Sequence, residues 1–218
     1  MTNNSMADIR LVTERLVLRS IKISDVKDVM ALHADPRVTA LLIDAVPRNS
    51  FETIAYISFF LKEQAAGFPG AFHVSRRATG AFLGLFMLSR LDGTDELELG
   101  TRLIPEAWGS GVSPEGGAAL INYTFSVLAA DHLVSVTSMH NRSVPLNMAY
   151  AGYNYAGNFS LFNHPARRFV LSKSAWEAQG CALVSRNLAM ARLRAWQTDF
   201  IATDKNWPVQ TNVQALKP

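Results

Sequence analysis

The chain has 218 residues, a length that fits one domain with an appendage or at most two small domains. Its formal charge of +3 is compatible with an anionic ligand, but no dense Lys/Arg run interleaved with aromatics argues for nucleic acid. One cysteine, Cys181, excludes an internal disulfide and reads as a small buried apolar group, and no apolar run approaches the ~20 residues of a membrane span, so a soluble cytoplasmic protein is expected.

In chain order, Leu16, Val17 and Leu18 between Arg15 and Arg19 read as a strand. Ser24 is placed as the cap of a first helix, residues 25–33, which Asp35-Pro36 ends. Ser50 is placed as the cap of a second helix, residues 51–66, with Ile54, Ile57, Phe60 and Leu61 at helical spacing. Gly67, Pro69 and Gly70 stop it. The pattern then changes period. Residues 71–76, 81–90 and 95–104 read as three strands joined by turns at 78–80 and Asp92-Gly93, an antiparallel meander.

Gly109 and Gly111 follow the third strand, and Ser113 or Pro114 opens a helix running to about residue 130. Glycines let main chain approach a ligand closely, and the first N–H groups of a helix have no internal partner. Strand, glycine loop and helix start together make a seat for an anion, phosphate above all. Residues 133–138 form a buried strand. The crossover helix makes it a parallel neighbour of the strand that ends near residue 104. Ser143 is placed as the cap of a short helix, residues 144–151, which Gly152 stops. Residues 159–161 and 168–172 read as a final hairpin, and residues 182–200 as a helix. The stretch 202–218 is polar and aperiodic, expected to be poorly ordered or to dock on a partner. The boundary is drawn as a domain over residues 1–173 and a C-terminal helical extension with a tail over 174–218.

Four pieces of this sequence, in order, carry a resemblance. They are Thr13-Glu14-Arg15-Leu16-Val17-Leu18-Arg19, Glu98-Leu99-Gly100-Thr101-Arg102-Leu103, Pro105-Glu106-Ala107-Trp108-Gly109-Ser110-Gly111 with Glu115, and Asn141 followed by Gly152-Tyr153. Their order and spacing over roughly residues 11–172 resemble the GNAT acyltransferase superfamily, and within it the RimJ/RimL-type N-acetyltransferases. The resemblance implies an α+β fold: a central mixed, mostly antiparallel sheet with helices on both faces and its fourth and fifth strands splayed. It implies acetyl-coenzyme A as co-substrate and no metal. Its pyrophosphate would lie on Trp108, Gly109, Ser110, Gly111, Val112, Ser113 and Pro114. Its pantetheine arm would meet main-chain groups of Leu103 and Ile104, and Asn141.

The implied reaction is attack of a primary amine on the thioester, the amine belonging to a protein or peptide N-terminus or to a small molecule. Strand alternation puts Glu96, Glu98, Gly100 and Arg102 on one face. Glu98 stands where the family carries a carboxylate beside the thioester, so it is the candidate general base. Without the resemblance it reads as a strand carboxylate paired with Arg102. Asn141 likewise reads as a turn residue at a strand end. His73 and His164 have no clustered carboxylate or cysteine, which argues against a metal. The chain departs from the family at Val144, where the branch usually has Ser, and at Met148, where many relatives carry a tyrosine acid. Those departures motivate a second reading, a catalytically degraded acyl-coenzyme A-binding module. The resemblance puts the acceptor on the side made by the first two helices and the final hairpin, where residues 45–50 and 154–165 carry no recognisable code. Neither a membrane nor a nucleic acid is expected as partner; a homodimer is, through the C-terminal extension.

Overall fold

A computed structural model describes residues 8–43, 46 and 49–203. The tail beyond 203, residue 44, and residues 45, 47 and 48 of the acceptor-side segment lie outside the described residues. One eight-stranded sheet organises the chain: β1 (Arg10–Val12), β2 (Leu16–Ser20), β3 (Gly70–Arg76), β4 (Phe82–Arg90), β5 (Leu97–Leu103), β6 (His132–Ser138), β7 (Asn154–Leu161) and β8 (His164–Ser172). Its order is β1-β2-β3-β4-β5-β6-β8-β7. Only the β5–β6 contact is parallel, as the crossover requires. All the other pairs are antiparallel, including the expected meander β3-β4-β5.

Helices cover both faces. Successive side chains of a strand point to opposite faces, and here both faces are apolar. Phe72, Val74, Phe86, Leu88 and Leu99 pack with Leu120, Ile121 and Phe125 of α4 (Val112–Ser126). Their strand neighbours Ala71 and Leu85 pack on the other side with Val29 and Leu32 of α1 (Val26–Ala34) and Ile57 and Phe60 of α3 (Ser50–Ala65). A single turn, α2 (Pro36–Thr39), separates α1 from α3, opened by the Asp35 carboxylate accepting from Arg37 N. After β6 come α5 (Val144–Ala151), the β7–β8 hairpin, α6 (Lys173–Ala178) and α7 (Arg186–Thr203).

Local chemistry revises several expected boundaries. Ser24 caps nothing. The turn over Ile23–Asp25 is held by Asp25, whose carboxylate accepts from Lys22 N and pairs with both terminal nitrogens of Arg19. Asn49, not Ser50, caps α3: its side-chain oxygen accepts from Glu52 N and its amide donates back to the Glu52 carboxylate. The hairpin is longer than its apolar residues suggest, because β7 is an edge strand whose outward positions Asn154, Asn158 and Ser160 are polar. Strand β1 is too short for periodicity to register. Cys181 is exposed rather than buried. It sits at φ 54 just after Gly180 at φ 77, in the turn that ends α6, and its N–H donates to Trp176 O.

Candidate active site

The sheet opens between β5 and β6. Their register holds at Glu98 opposite Val134, and Ser135 Oγ donates to Leu99 O at 3.1 Å. Beyond that point each strand is kept by its outer neighbour instead: Leu103 is still opposite Gly84 of β4, and Ser138 opposite Ala166 of β8. A cavity of about 460 Å³ fills the gap, walled by Gly100, Thr101 and Arg102 on one side and by Val136, Thr137 and Ser138 on the other. That volume suits a small-molecule site.

Ladder parity decides which main-chain groups face the gap. Ile104 N donates to Leu83 O of the β4 side, so Arg102 and Gly100 also turn their main chain toward β4. Leu99, Thr101 and Leu103 turn the other way, as the bond from Ser135 to Leu99 O requires. Ile104, expected to meet a pantetheine arm, has both main-chain groups engaged within the protein: its carbonyl accepts from Ala107 N. The Leu103 carbonyl accepts from Trp108 Nε1 at 3.0 Å.

Past β5 the chain makes the glycine loop. Gly109 (φ 68) and Gly111 (φ 83) occupy the left-handed region, and Gly111 leads directly into α4. Ser110 Oγ donates to Ala107 O, and the half-exposed Trp108 ring is tied to the strand by its indole. Arg15 braces the loop from β2's side: Nη1 donates to Ser110 O at 2.9 Å and Nε to Glu115 at 2.6 Å. Glu115 also accepts from Thr13 Oγ1 and Arg15 N. Burial pushes the Glu115 carboxyl up, but the hydrogen bonds from Thr13 and Arg15 outweigh it and leave its pKa below the usual value. Two motifs separated by about a hundred residues are therefore one structural unit. The opening N–H groups of α4 and a half-exposed guanidinium stand together, which is the chemistry of an anion seat. Of the loop residues, Ser113 and Pro114 also wall the cavity.

At the crotch of the two strands Glu98, half-buried, lines the cavity. Glu96 does not. It binds Arg168 Nη2 at 2.6 Å and His132 Nε2 at 3.0 Å, clamping the start of β5 to β6 and β8. Burial raises the Glu96 pKa, and these two partners more than reverse that, leaving it low. Arg102, also in the cavity wall, donates to His33 Nε2 at 2.9 Å, which puts the imidazole proton on Nδ1. Asn141 lines the cavity too, with Oδ1 accepting from Ser143 N and Ser143 Oγ, a turn held by its own side chain. Val144 and Met148 present apolar surface there; Tyr150 is not in its walls. Phe59 of α3 and Phe162 of the hairpin turn also line the cavity, both more than half exposed.

Among the polar residues of this site that sequence reasoning gives no role are Ser135, Asn147, whose amide donates to Ser113 Oγ, and Tyr153. Tyr153 alone carried a signal, standing in the Gly152-Tyr153 piece that bears the resemblance, but the sequence assigns its hydroxyl no role.

Residues 15–145 match the family model described as an acetyltransferase (GNAT) domain. The chain belongs to the GNAT acetyltransferase family. A curated relative is the FsC-acetyl coenzyme A-N(2)-transacetylase of Aspergillus fumigatus, 27% identical over 138 residues, 60% of this chain and 58% of that one. The chain thus spans just over half the length of that relative. The fold matches an acetyltransferase of Agrobacterium tumefaciens at TM-score 0.64 and 24% identity, over 75% of this chain and 94% of that one. It matches the ribosomal-protein-S5-alanine acetyltransferase of Vibrio fischeri at TM-score 0.65 and 14% identity, over 78% and 99%. Among the described residues of this GNAT chain no helix is long and apolar enough to cross a membrane.

Proposed function

We propose that this GNAT protein is an N-acetyltransferase of the RimJ/RimL type, moving an acetyl group from acetyl-coenzyme A to a primary amine. The observation that carries the reading is the gap between β5 and β6, with the main chain of Thr101 and the Leu103 N–H turned toward it, a glycine loop at one end and Glu98 at the other. In this reading the main chain of Thr101 and the N–H of Leu103 hold the pantetheine arm, with Asn141 on the facing side. Residues 108–114 and Arg15 hold the pyrophosphate. Glu98 takes the proton the attacking amine must lose, directly or through water. The acceptor enters between Phe59 and Phe162. It is a protein or peptide N-terminus or a small amine, and the names of the Vibrio and Aspergillus relatives are consistent with either kind.

The test is thiol release from acetyl-coenzyme A across a panel of primary amines, with calorimetry for binding. Turnover is expected with at least one amine. Glu98→Gln is expected to lower kcat by about 10²–10⁴-fold with little change in KM for acetyl-coenzyme A. Tight binding without turnover on any amine would favour the non-catalytic binding module, for which Met148 and Val144 are the motive. No binding at all would end both readings.

A further inference from the structure

We propose that the Tyr153 hydroxyl is a hydrogen-bond donor to the thioester of the acyl carrier, replacing with a phenol from the chain after α5 what Met148 leaves apolar. The inference rests on the acetyl-transfer reading above and names a further residue of that site.

The side chain of Tyr153 is wholly buried, and its hydroxyl has no hydrogen-bond partner among the described residues. Buried polar groups are nearly always paired, and an unpaired one weakens the fold. Phenylalanine would fill the same volume without that cost, so the hydroxyl needs another explanation. Tyr153 also lines the cavity in which Glu98 stands. The main chain that carries the ring is fixed on both sides of its Cα. Gly152, at φ 87, stops α5 and turns the chain inward, and a Cβ there would collide with the Gln179 side chain. Tyr153 N donates to Met148 O at 3.0 Å. The donor is thus held in place before any ligand arrives, the condition under which a donor stabilises developing charge most.

Its protonation restricts its role. Burial first, and then the negative charge of Glu98, hold the phenol well above its ordinary pKa. It stays protonated and donates a hydrogen bond without giving up its proton. The step balances without it. The amine lone pair forms the C–N bond and the carbonyl π pair moves to oxygen. When the carbonyl re-forms, the C–S bond breaks and its electron pair leaves on sulfur. The one proton the amine loses passes to Glu98 and from there to the thiolate, which leaves as the thiol. Tyr153 steadies the negative charge of this sequence and ends as it began.

Tyr153→Phe separates this role from packing. The expected result is a kcat lower by about 10²-fold, with KM for acetyl-coenzyme A little changed and a melting temperature of the free protein equal to or above that of the wild type. A kcat within about twofold of the wild type would overturn the proposal, well inside the loss that removing one such donor causes. So would a lower kcat accompanied by a lower melting temperature, which is a structural role. If the wild type itself releases no thiol, the acetyl-transfer reading fails separately. Calorimetry with acetyl-coenzyme A then decides: weaker binding by Tyr153→Phe with unchanged binding of free coenzyme A supports the donor, and equal binding by both proteins, or none, overturns it.

Discussion

Gly109 and Gly111 look alike in sequence and differ in surroundings. Both hold left-handed backbone, which costs an L-residue roughly 1–2 kcal/mol. A Cβ at Gly109 would meet nothing within 4 Å, whereas one at Gly111 would lie 2.7 Å from Arg15 Nη2 and push the guanidinium off Ser110 O. Gly109→Ala should therefore cost only the backbone term. Gly111→Ala should cost more than that and weaken coenzyme A binding as well, as measured by urea denaturation and calorimetry side by side. Glu96 and Glu98 make a second contrast. Alternation puts them on one face, but Arg168 and His132 draw Glu96 into a clamp, and Glu98 is the carboxylate left in the cavity. No pattern two residues long could have told them apart, because the partners come from β6 and β8.

At the scale of elements, the entry to α4 depends on a strand from the other end of the chain. Glu115 joins α4 to Thr13 and Arg15 beside β2. Its pKa lies below the ordinary glutamate value of 4.5 in the folded chain, so the folded state binds fewer protons than the unfolded one near that pH. The stability it contributes is complete above about 4.5 and is lost as pH falls through the lower folded value. Glu115→Gln should flatten that part of the acid-unfolding profile and loosen the loop, seen as a weaker response of the melting temperature to coenzyme A at neutral pH. The meander and the parallel crossover were legible because each element declares its period locally: two for β3 to β5, near 3.6 for α4. The caps were less so. Ser24 and Ser50 satisfy a capping rule in isolation, and the competing Asp25 and Asn49 win through partners at Arg19 and Glu52.

For the whole molecule, α7 belongs to the core of the sheet it follows. Trp196 stacks against Phe169 of β8 with ring centres 5.3 Å apart, and Phe200 closes over the same ring and over the guanidinium of the buried Arg167. Trp196→Ala should lower stability by about 3–5 kcal/mol, measured by chemical denaturation, although the ring is far along the chain from residues 15–145. The sequence alone determined the alternation of strands and helices, the glycine loop ahead of α4 and the order of the motifs, because these follow from backbone preferences and from periods that neighbouring residues set. The tertiary structure alone decided that the point at which β5 and β6 part is Glu98, that Arg15 and Glu115 are one brace, and that the Tyr153 hydroxyl is buried beside the cavity. Those outcomes depend on which strand edges find other partners and which polar groups meet across the sheet, and contacts between residues distant in sequence leave no local period to read.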